Sequence, residues 1–171
     1  MNDYDFEPPV PMPVVYNLVR NDLPSMNPGK GMAQSFHGGG AFAYEMLVGK
    51  FPSDEANAKN AELYRLWLEQ TSQGFGTVLT VEVNEYKMRR AVDVARALHL
   101  VANVVHDPEY PILVPPELGK AMAAERTPIS KFGVGENFNY MHIPLDTCAF
   151  VFGDKNDPKL NVVTEIFSLH R

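Results

Sequence analysis

Cysteine is almost missing from this sequence. Cys148 stands alone among 171 residues, which excludes an internal disulfide and any zinc site built on several thiolates, so a reducing, cytoplasmic setting is the expectation. Long apolar runs are missing too. No stretch approaches the roughly 20 apolar residues that a membrane-spanning helix requires, and no membrane partner is expected. The first residues, MNDYDFEPPVPMP, carry neither a positive n-region nor an apolar h-region, so they do not read as a secretory signal. Basic residues are in the minority, 15 against 21 acidic, for a net charge of −6. That balance weighs against a general nucleic-acid binder but leaves room for a local basic groove. What remains is ordinary globular composition at a length that suits one domain.

Proline crowds the first 13 residues, at Pro8, Pro9, Pro11 and Pro13, and predicts an extended arm because proline fixes φ and removes backbone donors. Residues 14–20, rich in β-branched side chains, read as a buried strand. Residues 30–49 read as a helix with Met32, Phe36, Ala43, Met46 and Leu47 as its apolar candidates. Gly38, Gly39 and Gly40 interrupt that helix, and each costs about 1 kcal/mol relative to alanine, so the segment should bend or pack closely on a neighbouring backbone. A second helix is expected at 54–72, a strand at 77–83 and a third helix at 84–100. The third helix repeats apolar residues at Met88, Ala91, Val92, Ala95 and Leu98. Strands at 101–105, 112–114 and 148–152 complete the pattern. Alternating strands and helices argue for layered α/β architecture with a mixed sheet.

Two motifs fail for want of partners. His37-Gly38-Gly39-Gly40 imitates a lipase oxyanion-hole motif, yet no G-x-S-x-G nucleophile elbow accompanies it. His99 and His106 lack metal-protease spacing, so no metal site is expected. No Walker A or dinucleotide fingerprint appears, and no cofactor is called for.

A third pattern is coherent. Leu18-Val19-Arg20-Asn21-Asp22-Leu23 ends the first strand, and Gly29-Lys30-Gly31-Met32-Ala33-Gln34-Ser35-Phe36-His37 opens the first helix. The strand 77–83, helix 84–100 and strand 101–105 lead to Asp107, with Pro115 eight positions on, then Gly133-Val134-Gly135. In this succession the chain resembles the archaeal/eukaryotic-type peptidyl-tRNA hydrolases over residues 14–153. The resemblance implies a three-layer α/β/α single domain with a mixed sheet like theirs. Residues 1–13 would form an arm, 116–128 an insertion, and 154–171 a C-terminal extension. It also implies hydrolysis of the ester joining a peptide to the 3′-terminal ribose of tRNA, without a cofactor. Peptidyl-tRNA would be the partner, and homodimerisation is left open.

Carried over residue by residue, the resemblance makes Lys30, Asp107 and Ser130 the catalytic candidates. Arg20, Asn21, Gln34 and His37 are the candidates for holding substrate. Lys30 at a helix start gains from the helix dipole and can stabilise an oxyanion or clamp a phosphate. Asp107 can orient or deprotonate water. Bland readings stand beside these: Lys30 as a solvated lysine, Asp107 as a turn residue before Pro108, His37 as a buried core histidine. The family's first threonine, four residues after the aspartate, is replaced by Pro111, and Ser130 stands at the second. Lys87, Arg89, Arg90 and Arg96 on the third helix read as a solvated face, with phosphate binding as the alternative. The altered site, the acidic charge and the added segments favour a competing expectation. That alternative is a non-catalytic protein reusing the fold to bind a nucleotide, a tRNA end or a protein; an unrelated α/β enzyme is the third reading.

Overall fold

A computed structural model describes residues 9–48, 55–115, 117, 132–134 and 139–167. β1 (Pro13–Arg20) is followed by α1 (Pro28–Val48) and α2 (Glu55–Leu68), then β2 (Thr77–Val83), α3 (Glu85–Ala97) and β3 (Val101–Val114). β4 (Phe132–Val134), β5 (Asn139–Asp154) and a last helix, α4 (Pro158–Phe167), complete the chain. The strands order as β2-β1-β5-β3, with β4 pairing to β5. β1 and β2 are parallel, whereas β5 runs antiparallel to both β1 and β3, so the sheet is mixed.

Alternation along β1 explains the layers. Val14 and Leu18 point to one face, where Met88, Ala91, Val92 and Ala95 of α3 pack with Leu160, Val163 and Phe167 of α4. Val15 points to the other, among Phe42 and Met46 of α1, Leu63 and Trp67 of α2, and Phe150 and Phe152. Two helices on each face make a three-layer α/β/α domain with mixed sheet. The segment past Asp154 is part of this core, since α4 supplies three of its buried side chains. Of the arm, residues 9–12 are described; Met12 N–H donates to Asp154 Oδ1 at 2.8 Å.

The structure corrects three expectations. The buried row of α1 is Gln34, Gly38, Phe42 and Met46, so Met32, Phe36 and Leu47 face outward. Gly38 holds an inward position because Asn17 of the strand beneath fills its side-chain space, and Gln34 holds another because Asp107 and Thr147 are its partners, which hid the row from a reading by hydrophobicity. The strands expected at 101–105 and 112–114 are one strand, β3, carried through by two register shifts against β5. Asp107 therefore lies within a strand, not at its end. Most of the 116–128 insertion lies outside the described residues, and Ser130 does too. No helix among the described residues is long and apolar enough to cross a membrane.

Candidate active site

The C-terminal end of β1, the start of α1 and the middle of β3 converge at one end of the sheet. Asn27 caps α1: its Oδ1 accepts from Lys30 N–H at 3.0 Å. This places Lys30 in the first helical turn, with its side chain turned towards β3. Its ammonium donates to Ser25 Oγ at 2.7 Å and to the carbonyl of Pro111. It also sits 5.0 Å from the centre of the Tyr110 ring, within cation–π range. Desolvation by this surrounding lowers the lysine's pKa from its ordinary value. Ser25 holds φ at 59°, an uncommon backbone for a serine, and thereby brings its hydroxyl under Lys30.

Asp107 is fixed from two sides. Its Oδ2 accepts from Gln34 Nε2 at 3.0 Å, and its Oδ1 accepts from the backbone N–H of Glu109 at 3.0 Å. Tyr110, fully buried, links the two charged groups, with Lys30 over its ring and the Asp107 charge close by. Burial, and then the charge of Asp107, raise the Tyr110 phenol's pKa. Pro111 removes the hydroxyl that the resemblance places there, but its carbonyl is what holds Lys30.

Gln34, offered by the sequence as a substrate contact, is 3% exposed and spends its amide on Asp107 and Thr147. Arg20 is buried as well. Its guanidinium binds Asp22 at 2.9 Å, Glu85 at 3.0 Å and the carbonyl of Asp146 at 3.0 Å. Asn21 is exposed at the end of β1 and lines a groove of about 680 Å³ with Asn27, Met32, Ser35 and Thr80. A ligand-sized cleft beside the ends of parallel strands is the usual site in an open α/β sheet. His37 is exposed on α1, against the reading of a buried core histidine. On α3, Arg89 bridges Glu85 and Asp146, and Arg96 holds Ala102 O and Asn103, so half of that basic cluster is committed within the fold. Among the described residues no group of His, Cys, Asp and Glu could hold a metal.

Lys30, Gln34 and Asp107 thus come together around Tyr110. The Arg20 charge also reaches Tyr110, but its hydrogen bonds go to Asp22 and the Asp146 carbonyl, while Asn21 lines the neighbouring groove and His37 is exposed. Sequence reasoning missed Ser25, Tyr110 and Thr147. Tyr110 sits three residues after Asp107, and the turn-prone Asp107-Pro108 pair hinted that the chain could bring it back to the same face. No protein-family model matches the chain, and no curated protein is similar to it at a significant level.

Proposed function

We propose that this chain hydrolyses the ester of peptidyl-tRNA, releasing peptide and free tRNA. The observation that carries the reading is the pair of Lys30 and Asp107, held by separate hydrogen-bond sets and both close to Tyr110. The ordered sequence resemblance supports it. Both groups keep capacity for a substrate. An ammonium has three donors, of which Lys30 spends two, and a carboxylate has lone pairs beyond the two that Asp107 uses here. In this reading Asp107 takes a proton from water as the water oxygen bonds to the ester carbon. The free N–H of Lys30 stabilises the resulting oxyanion. Collapse breaks the bond to the ribose 3′-oxygen, which receives the proton from Asp107. The groove beside Asn21 accommodates part of the substrate.

Release of labelled N-acetyl-aminoacyl groups from tRNA tests this, with wild type beside Lys30→Ala and Asp107→Ala. Turnover by wild type that both variants lose upholds the reading. A second reading, binding without catalysis, draws on Pro111, which leaves the site one hydroxyl short. A folded wild type that binds tRNA without turnover would favour it and sink the hydrolase.

A further inference from the structure

Thr147 is fully buried on β5 and donates a hydrogen bond to Gln34 Oε1. We propose that Thr147 is a positioning residue for Asp107, acting through Gln34, and that a β-bulge is what aims it. The catalytic part of this inference rests on the hydrolase reading.

The bulge is visible in the register. Val105 opposes Cys148 and His106 opposes Asp146, so Thr147 is an extra residue with no partner on β3. Side chains normally alternate between faces along a strand. Phe150 and Phe152 face α1, and Cys148, two residues earlier, follows them, its sulfur meeting the backbone of Gly38. Simple alternation would send Thr147 to the opposite face, towards α3. It reaches Gln34 of α1 instead, on the same side as Cys148. Asp146 takes the α3 side, where it meets Arg89 and His106. One inserted residue has therefore sent two polar side chains to opposite partners, as bulges near functional sites do.

Hydrogen-bond polarity makes the chain directional. An ionised carboxylate only accepts, so Gln34 must present its Nε2 to Asp107. The planar amide then turns Oε1 away, and among the described residues the group that meets it is the Thr147 hydroxyl. Gln34 is 3% exposed, so an Oε1 without Thr147 would be a buried acceptor left unsatisfied. The amide would leave its place to find a donor, and Asp107 Oδ2 would lose its anchor. The second register shift, at Pro108 and Glu109, supplies the other anchor, the Glu109 N–H on Oδ1.

The test compares Thr147→Val, which keeps shape and loses the donor, with Thr147→Ser, which keeps the donor. In peptide release from N-acetyl-aminoacyl-tRNA, the valine variant should lose roughly tenfold or more in kcat with KM unchanged, on the scale of small misplacements of a reacting group. Serine should restore kcat. In a Gln34→Leu background the valine change should cost nothing further, since both act through one chain. Wild-type kcat in the valine variant, or serine as impaired as valine, overturns the proposal.

A second readout needs no turnover. The side-chain amide signals of ¹⁵N-labelled Gln34 should shift when the carboxylate is removed by Asp107→Asn in an otherwise wild-type chain, and should not respond to that change in Thr147→Val. If wild type hydrolyses nothing, the hydrolase reading falls, and these signals alone decide the positioning. Amide signals that ignore the carboxylate in wild type overturn it even if the valine variant fails to fold.

Discussion

Asn17 occupies the space in which Gly38 would carry a side chain. A Cβ at Gly38 would overlap Asn17 Oδ1 and stand 2.9 Å from its Cγ. Asn17 cannot easily retreat, because it is buried in β1 and its Nδ2 donates to the Ser35 carbonyl at 2.7 Å. The glycine thus sets how closely α1 approaches the sheet, and through α1 the height of Gln34 and Lys30 above β3.

Neighbouring glycines should therefore respond with opposite signs. A Cβ at Gly39 meets nothing within 4 Å. Gly39→Ala should stabilise the protein by up to about 1 kcal/mol through helix propensity alone. Gly38→Ala should destabilise it by about 1–3 kcal/mol, the usual cost of overfilling a packed contact, despite the same propensity gain. Thermal or urea unfolding of the two variants measures both. Equal shifts of one sign would show that Asn17 yields freely.

Much of the architecture was legible because β1 and β2 are dense in β-branched residues and α3 carries an unbroken helical period. Residues 77–83 match β2, and Met88, Ala91, Val92 and Ala95 are the buried face of α3. The course of β3 was not legible, since two register shifts break its alternation. Thr147 was hidden for the same reason: its position in β5 predicts the wrong face. In α1 the apolar residues Met32, Phe36 and Leu47 drew attention outward, while Gln34 and Gly38 held the inward row. The cluster of Lys30, Gln34 and Asp107 was found by succession of motifs. Arg20 belonged to the same succession but faces Asp22, Glu85 and Asp146.

Lys30 gives a second expectation. Desolvation lowers its folded pKa below the usual 10.5, so between the folded value and 10.5 the unfolded chain binds more protons. Stability attributable to this residue therefore rises with pH through that window, and the charged lysine is a burden below it. Lys30→Met should melt at or above the wild-type temperature at neutral pH and, under the proposed hydrolase function, should lose turnover by about 100-fold or more. The basic limb of the wild-type rate profile should fall below the normal lysine range and vanish in Lys30→Arg, which stays charged. A Lys30→Met protein with full turnover would remove Lys30 from the chemistry.

Arg20 should matter to stability first. Truncation to alanine strands Asp22, Glu85 and the Asp146 carbonyl, at a cost of about 2–3 kcal/mol for charge-assisted hydrogen bonds around one buried guanidinium. Burial alone would raise the pKa of Asp22, but the hydrogen bonds from Arg20 and the Glu85 N–H, with the Arg20 charge, outweigh it and lower the pKa below 3.8. That contribution is present above the unfolded value and is lost as pH falls through the folded one. The acid side of the stability profile should accordingly be shallower in Arg20→Ala than in wild type. Urea unfolding between pH 2 and pH 7 checks the slope, and parallel profiles would refute it.

Cys148 offers a direct probe of how tightly this end of the sheet is closed. The thiol is fully buried, and desolvation pushes its pKa from 9.0 up to about 12. The thiolate is the reactive form, so alkylation of the folded protein at pH 8 should be negligible. Labelling with iodoacetamide should proceed only through opening of the structure, at a rate that urea accelerates in step with unfolding. The raised pKa also predicts a sign. Stability owed to the neutral thiol is complete below pH 9 and is lost as pH rises from 9 towards 12. Thr147→Val keeps the thiol buried, so it should label no faster than wild type if the local structure holds. Faster labelling in that variant, at unchanged global stability, would mean that Thr147 keeps β5 and α1 together at this point, with positioning of Gln34 as one consequence of that closure.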